Sequence, residues 1–109
     1  MAANATASAQ AEPRASLSSS FKASSSFKAL FYVVGVADPG LLPRLIEPMA
    51  KMGHVPSRVH ASREAGDGSQ MVVDLRLSGV SARTAQLVEN ALRATVGVHQ
   101  VIAVVEPAN

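Results

Sequence analysis

"LFYVVGVADPGLLPRLIEPMAKMG", residues 30–53, decides the fold. Its first seven residues are apolar, mostly β-branched or aromatic, and carry no charge. A short run of that kind, closed by Asp38-Pro39-Gly40, reads as a strand covered on both faces and therefore central in its sheet. Leu41, Leu42, Leu45, Ile46 and Met49 then recur at three- and four-residue steps, the apolar stripe of an amphipathic helix. Pro43 falls in the first turn, where a missing N–H is no loss. Pro48 removes a hydrogen bond to the Arg44 carbonyl and crowds it, which predicts a kink over Arg44–Glu47 or a displaced last turn. Lys51 suits the C-terminal end of the helix, and Gly53 suits the left-handed residue just beyond it.

Working outward, residues 57–64 and 69–78 flank Ala65-Gly66-Asp67-Gly68 and read as a β-hairpin. Pairing Val59 with Leu75 and Ala61 with Val73 makes one face apolar. The other face then sets Arg58 opposite Arg76, His60 opposite Asp74 and Ser62 opposite Val72. A slip of one residue would mix the faces. Ser81 is a plausible N-cap for a second helix with an inner stripe of Ala85, Val88, Ala91, Leu92 and Thr95, closed by Gly97. Residues 98–105 form a last strand, apolar on both sides. The order βαββαβ predicts an α+β, ferredoxin-like sandwich: a four-stranded antiparallel sheet, two helices on one face, and the first strand between the third and fourth. The helices cover only one side of the first strand. Tyr32, Val34 and Val36 on its other side would then form an uncovered apolar half-sheet, the mark of a partner surface, with a second copy of the chain as default partner.

Residues 1–27 are rich in Ala and Ser and hold little that forms a core, so they read as a disordered tail ahead of a domain at 28–107. The tail contains a tandem repeat, "SSSFKA" at 18–23 and again at 24–29. It lacks the apolar stretch of a secretory signal and the Arg richness of a transit peptide. The chain has no cysteine, which excludes disulfides, thiolate catalysis and Cys-ligated zinc and is compatible with a cytoplasmic setting. No apolar run approaches the roughly 18 residues of a membrane span. The net charge is +2, but seven basic and seven acidic residues leave residues 29–109 neutral. A nucleic-acid partner calls for a basic stripe, and this region has none.

Several stretches together resemble an ACT domain: "LFYVVGVADPG" and "PGLLPRLIEPMAKMG", then "HVPSRVHA", "MVVDLRLSG" and "LVENALRATVGVHQVIAV". Within that family the chain looks most like the small regulatory subunits of acetohydroxyacid (acetolactate) synthase. The resemblance implies a non-catalytic regulatory module that forms a homodimer. It also implies a small amino-acid ligand, or association with the catalytic subunit of an amino-acid biosynthetic enzyme. It places the ligand where the first strand–helix loop of one copy meets the second-strand region of the other, which nominates Asp38, Gly40, Leu41 and Leu42 with Val55 and Ser57. Gly40 lets a ligand approach the backbone, and the free N–H groups near Gly40, Leu41 and Leu42 favour a carboxylate. Two positions depart from the family pattern: Ala37 and Val55 stand where Asn is common in amino-acid-binding members.

Other features point to ordinary roles. Asp38 suits a helix cap as well as a contact to a ligand's ammonium group. His54, His60 and His99 fall on different elements at no metal-ligand spacing, and no cofactor motif is present. His60 and Asp74 form a cross-strand pair with no nucleophile beside them, so no catalytic residue is assigned. The alternative to a regulatory module is a protein- or nucleic-acid-interaction module of the same fold with no small-molecule ligand. Against nucleic acid, Phe31 and Tyr32 are adjacent and so face opposite sides of the sheet.

Overall fold

The computed structural model describes residues 26–64 and 66–108. The first "SSSFKA" copy and nearly all of the expected tail lie outside the described residues. The elements are β1 (Phe27–Val36), α1 (Leu41–Lys51), β2 (Arg58–Arg63), β3 (Gln70–Val80), α2 (Ala82–Arg93) and β4 (Val98–Pro107). They form one antiparallel sheet in the order β2-β3-β1-β4. The first strand is thus central and bonded on both edges, but it is not covered on both faces as its apolar run over 30–36 suggests: the side bearing Tyr32 and Val36 stays open within one chain. The hairpin register is the expected one, with Val59 opposite Leu75, His60 opposite Asp74 and Arg58 opposite Arg76.

Both helices cover one face of the sheet. Phe31 and Val33 of β1 are buried beneath them together with Leu41, Leu45 and Met49 of α1 and Ala85, Val88 and Leu92 of α2. Each large side chain so buried contributes about 1.5–3 kcal/mol. Tyr32 points the other way and is 46% exposed, against 1% for Phe31. Ile102 and Val104 of β4 pair with Tyr32 and Leu30 and extend the open apolar strip, while Asp74 and Arg76 flank it on β3.

The helix ends follow local chemistry. Gly53 (φ +79°) sends its N–H to the Ala50 carbonyl, and His54 sends its N–H to Met49, a Schellman closure of α1. The Ser81 hydroxyl accepts the Thr84 N–H at 3.0 Å and starts α2. At Pro48, where the sequence predicts a kink or a displaced last turn, the chain is helical throughout Leu41–Lys51, and the Met52 N–H bonds the Pro48 carbonyl at 3.2 Å. One expectation needs correction. Gly97 does not close α2, which ends at Arg93 with Ala94 as C-cap. It lies instead in the turn joined by the Val98 N–H to the Thr95 carbonyl, with φ +97°.

That turn packs against the end of β1. A Cβ added at Gly35 would lie 2.7 Å from the Gly97 carbonyl oxygen and 2.9 Å from Leu41 Cδ2. The β1–β4 register shifts at this point, between Val34 and Gly35, and the Val36 N–H reaches the Gly97 carbonyl at 2.9 Å. Gly35→Ala should therefore lower stability by about 1–3 kcal/mol through overpacking, read as a lower urea midpoint at unchanged slope. An unchanged midpoint would mean that this junction yields freely.

Candidate functional site

β1 ends at Val36, and the chain turns through Ala37–Gly40 into α1. The Asp38 N–H bonds the Val36 carbonyl, and the Leu41 N–H bonds the Asp38 carbonyl at 3.0 Å. The Asp38 carboxylate turns back on its own loop and accepts the Gly40 N–H at 3.0 Å. It therefore serves the helix start from two residues ahead of Gly40, the residue at the N-cap, which makes no side-chain cap bond. The amides expected to stand open at Gly40, Leu41 and Leu42 are thus reduced to one. Only the Leu42 N–H has no acceptor among the described residues, and Pro43 brings none.

Arg44, one turn into α1, was not among the residues nominated from sequence. Its Nη2 lies 3.5 Å from Asp38 Oδ2 and donates to the Val96 carbonyl at 3.2 Å. Its Nε is buried and has no hydrogen-bond partner among the described residues. Arg44 thus ties the Asp38 turn to the loop before β4. The sequence does hold a signal for it, since a cation near a helix N-terminus opposes the macrodipole and needs a local acceptor. Beside this turn, on the side away from β4, a cleft of about 450 Å³ is lined by Ala37, Asp38, Pro39, Leu42, Arg63 and Met71.

Val55 and Ser57 lie elsewhere. Val55 is 87% exposed. The Ser57 N–H bonds the Arg76 carbonyl, and Arg76 pairs with Leu30 near the start of β1. Asp38 follows the end of that strand, so the two groups of nominated residues stand roughly 20 Å apart along the sheet at ~3.3 Å per residue. One chain does not bring them together. Among the described residues no three His, Asp or Glu side chains gather where a metal ion could be held. No helix among them is long and apolar enough to cross a membrane.

On the open face Asp74 is engaged by Arg76 rather than by His60. Arg76 Nε and Nη2 donate to its two oxygens at 3.1 and 3.2 Å, and Arg58 Nε stands 4.0 Å away. The Arg76 hydrogen bonds hold the Asp74 carboxyl below its ordinary 3.8 despite the opposing effect of burial. A depressed carboxyl stabilises the fold above the unfolded value, and that contribution is lost as pH falls through the folded value. Stability should therefore drop below about pH 4, and Asp74→Asn should flatten that limb while leaving the neutral-pH slope unchanged. Urea midpoints measured across that range check this, and an identical acid limb in the variant would contradict it.

A family model described as "ACT-like domain" matches residues 22–108. No curated protein sequence matches the chain. Among solved structures, the ACT domain from GTP pyrophosphokinase of Chlorobium tepidum superposes with a TM-score of 0.61 at 15% identity, covering 72% of this chain and 99% of that one. The uncharacterized protein TM1266 from Thermotoga maritima gives 0.56 at 13% identity, with 71% and 92% covered. The regulatory subunit of aspartate kinase from Thermus flavus gives 0.52 at 20% identity, covering 73% of this chain and about half, 51%, of that one. These likenesses concern the fold. With a family model spanning every described residue, the βαββαβ chain belongs to the ACT-like domain family.

Proposed function

We propose that this chain is a non-catalytic regulatory module that pairs with a second copy of itself and senses a small amino acid, or joins the catalytic subunit of an amino-acid-metabolism enzyme. The observation that carries this reading is the separation of the nominated residues. Asp38, Gly40, Leu41 and Leu42 lie at one end of the sheet, and Val55 and Ser57 lie at the other. A site built from both sets needs two chains. The exposed strip of Tyr32, Ile102 and Val104, with half-buried Leu30 beside it, supports a partner surface.

The Leu42 N–H, at a helix start beside an open cleft, suits a carboxylate, with about 0.3–1 kcal/mol available from the helix dipole when exposed. Ala37 and Val55 supply no polar side-chain contact to an amino acid. Selectivity in such a site would rest on backbone groups and on the apolar wall of Leu42 and Met71, which favours a small aliphatic side chain. The resemblance to acetohydroxyacid synthase small subunits points the same way, toward branched-chain amino acids.

Sedimentation equilibrium of the full chain, followed by calorimetric titration with valine, leucine, isoleucine, serine and phenylalanine, tests the reading. A dimer with saturable heat from an aliphatic amino acid is expected. A monomer at every concentration, silent toward all five, would sink it. A dimer silent toward all five would remove the sensor and leave the assembly module.

A further inference from the structure

The open face of the sheet holds a second cleft, at the end opposite the Asp38 turn. Its volume is about 390 Å³, and Lys28 of β1, Arg58 at the start of β2 and Arg76 of β3 line it together with Ser57, Ser78 and Glu106. Three strands thus each send a cation to one corner of the sheet.

That arrangement is unfavourable for the fold alone. Arg58 and Arg76 are direct cross-strand partners, and like charges so placed destabilise a sheet. Asp74 offsets the pair unevenly. Arg76 takes both carboxylate oxygens, whereas Arg58 is left with one 4.0 Å approach and donates no hydrogen bond among the described residues. Glu106 is the cross-strand partner of Lys28, yet no described carboxylate lies within ion-pair distance of the Lys28 ammonium. The Ser57 and Ser78 hydroxyls, 3.4 Å apart, add two neutral donors to the same wall. A guanidinium fork matches the spacing of oxygens on one phosphorus or carbon. Leu30 and Leu77 supply the apolar part of the wall, but its larger part is polar and rich in donors, which suits a compact, oxygen-rich anion.

We propose that this cleft binds a phosphate-type oxyanion, free or carried on a small organic molecule, with Arg58 as the principal donor, Lys28 and Arg76 supplying charge, and the Ser57 and Ser78 hydroxyls completing the wall. The site lies the length of β1 away from the Asp38 turn and uses none of that turn's groups. It shares Ser57 with the second half of the proposed amino-acid site, but oxyanion binding to one chain requires neither the Asp38 turn nor an amino acid, so the titration below can succeed where the amino-acid reading fails.

The test is an amide NMR titration of the full chain with inorganic phosphate, pyrophosphate and glycerol phosphate, each at constant ionic strength set with sodium chloride. Saturable shifts confined to the neighbourhood of Ser57, Arg58, Arg76 and Ser78 are expected. Arg58→Gln should weaken binding about tenfold or more, the loss of a charge-assisted pair, with the rest of the spectrum unchanged. Glu106→Gln should tighten it. Lys51→Gln, a cation on α1 paired with Glu47 at 3.6 Å, should leave it alone. Tighter binding of glycerol phosphate than of inorganic phosphate assigns an ester as ligand, and the reverse order assigns the free ion. Shifts that never saturate, or that Arg58→Gln and Lys51→Gln alter equally, would reduce the effect to surface screening and overturn the proposal.

Discussion

The close approach of Gly35 to Gly97 holds together the end of the domain that carries the Asp38 turn. A side chain at Gly35 would run into the Gly97 carbonyl and into Leu41, so the end of β1, the start of α1 and the loop before β4 share one small volume. Gly97 has its own reason to be glycine: its φ of +97° is one that L side chains rarely adopt, and a Cβ there would meet Val36 at 2.8 Å. The shift in β1–β4 register falls at the same place and re-aims the strand end toward the helix. Only with these backbones in contact does Arg44 reach from α1 both to the Val96 carbonyl and to Asp38. The geometry of the Asp38 turn is thus a consequence of backbone packing as much as of the Asp-Pro-Gly sequence itself.

What the sequence made legible was whatever depends on local pattern. An uncharged β-branched run announced a central strand. The hairpin register followed because only one pairing separates Val59, Ala61, Val73 and Leu75 from Arg58, His60, Asp74 and Arg76. Gly53 and Ser81 revealed helix ends because each supplies a backbone or side-chain property that an end requires. Less was legible where distant segments meet. Arg44 contacts Val96 across 52 residues of sequence, and no local pattern encodes that distance. Gly97 looked like a helix terminator because Gly often is one; its actual role depends on Gly35, which lies on another element. Pro48 lies inside α1 and takes the donor from the Arg44 carbonyl, yet the helical span continues past it to Lys51.

The topology also separates the candidate ligand contacts. In a βαββαβ sheet the first helix returns the chain to the end where β1 began, so β2 must start there. The loop that precedes α1 and the segment that follows it are therefore kept apart by the length of the sheet. No side-chain rotation removes that separation. A ligand touching both ends must bridge two chains, and its affinity then depends on protomer concentration as well as on its own contacts.

Asp38 sets the terms for any carboxylate that approaches the helix start. Its own carboxylate already satisfies the Gly40 N–H and draws on Arg44. A second carboxylate arriving beside it would meet like charge at close range and find one open amide, that of Leu42. To gain the Gly40 N–H it must displace Asp38, and the protein then loses an internal bond of the same kind as the one formed. The free energy of such an exchange is a difference between two similar terms. An incoming amino acid can offset the negative charge of Asp38 with its own ammonium group, which a simple carboxylate lacks. An amino acid bound at this turn, as proposed, would therefore be recognised by its whole zwitterion rather than by the carboxylate alone, because the charge that narrows the turn also favours an ammonium group.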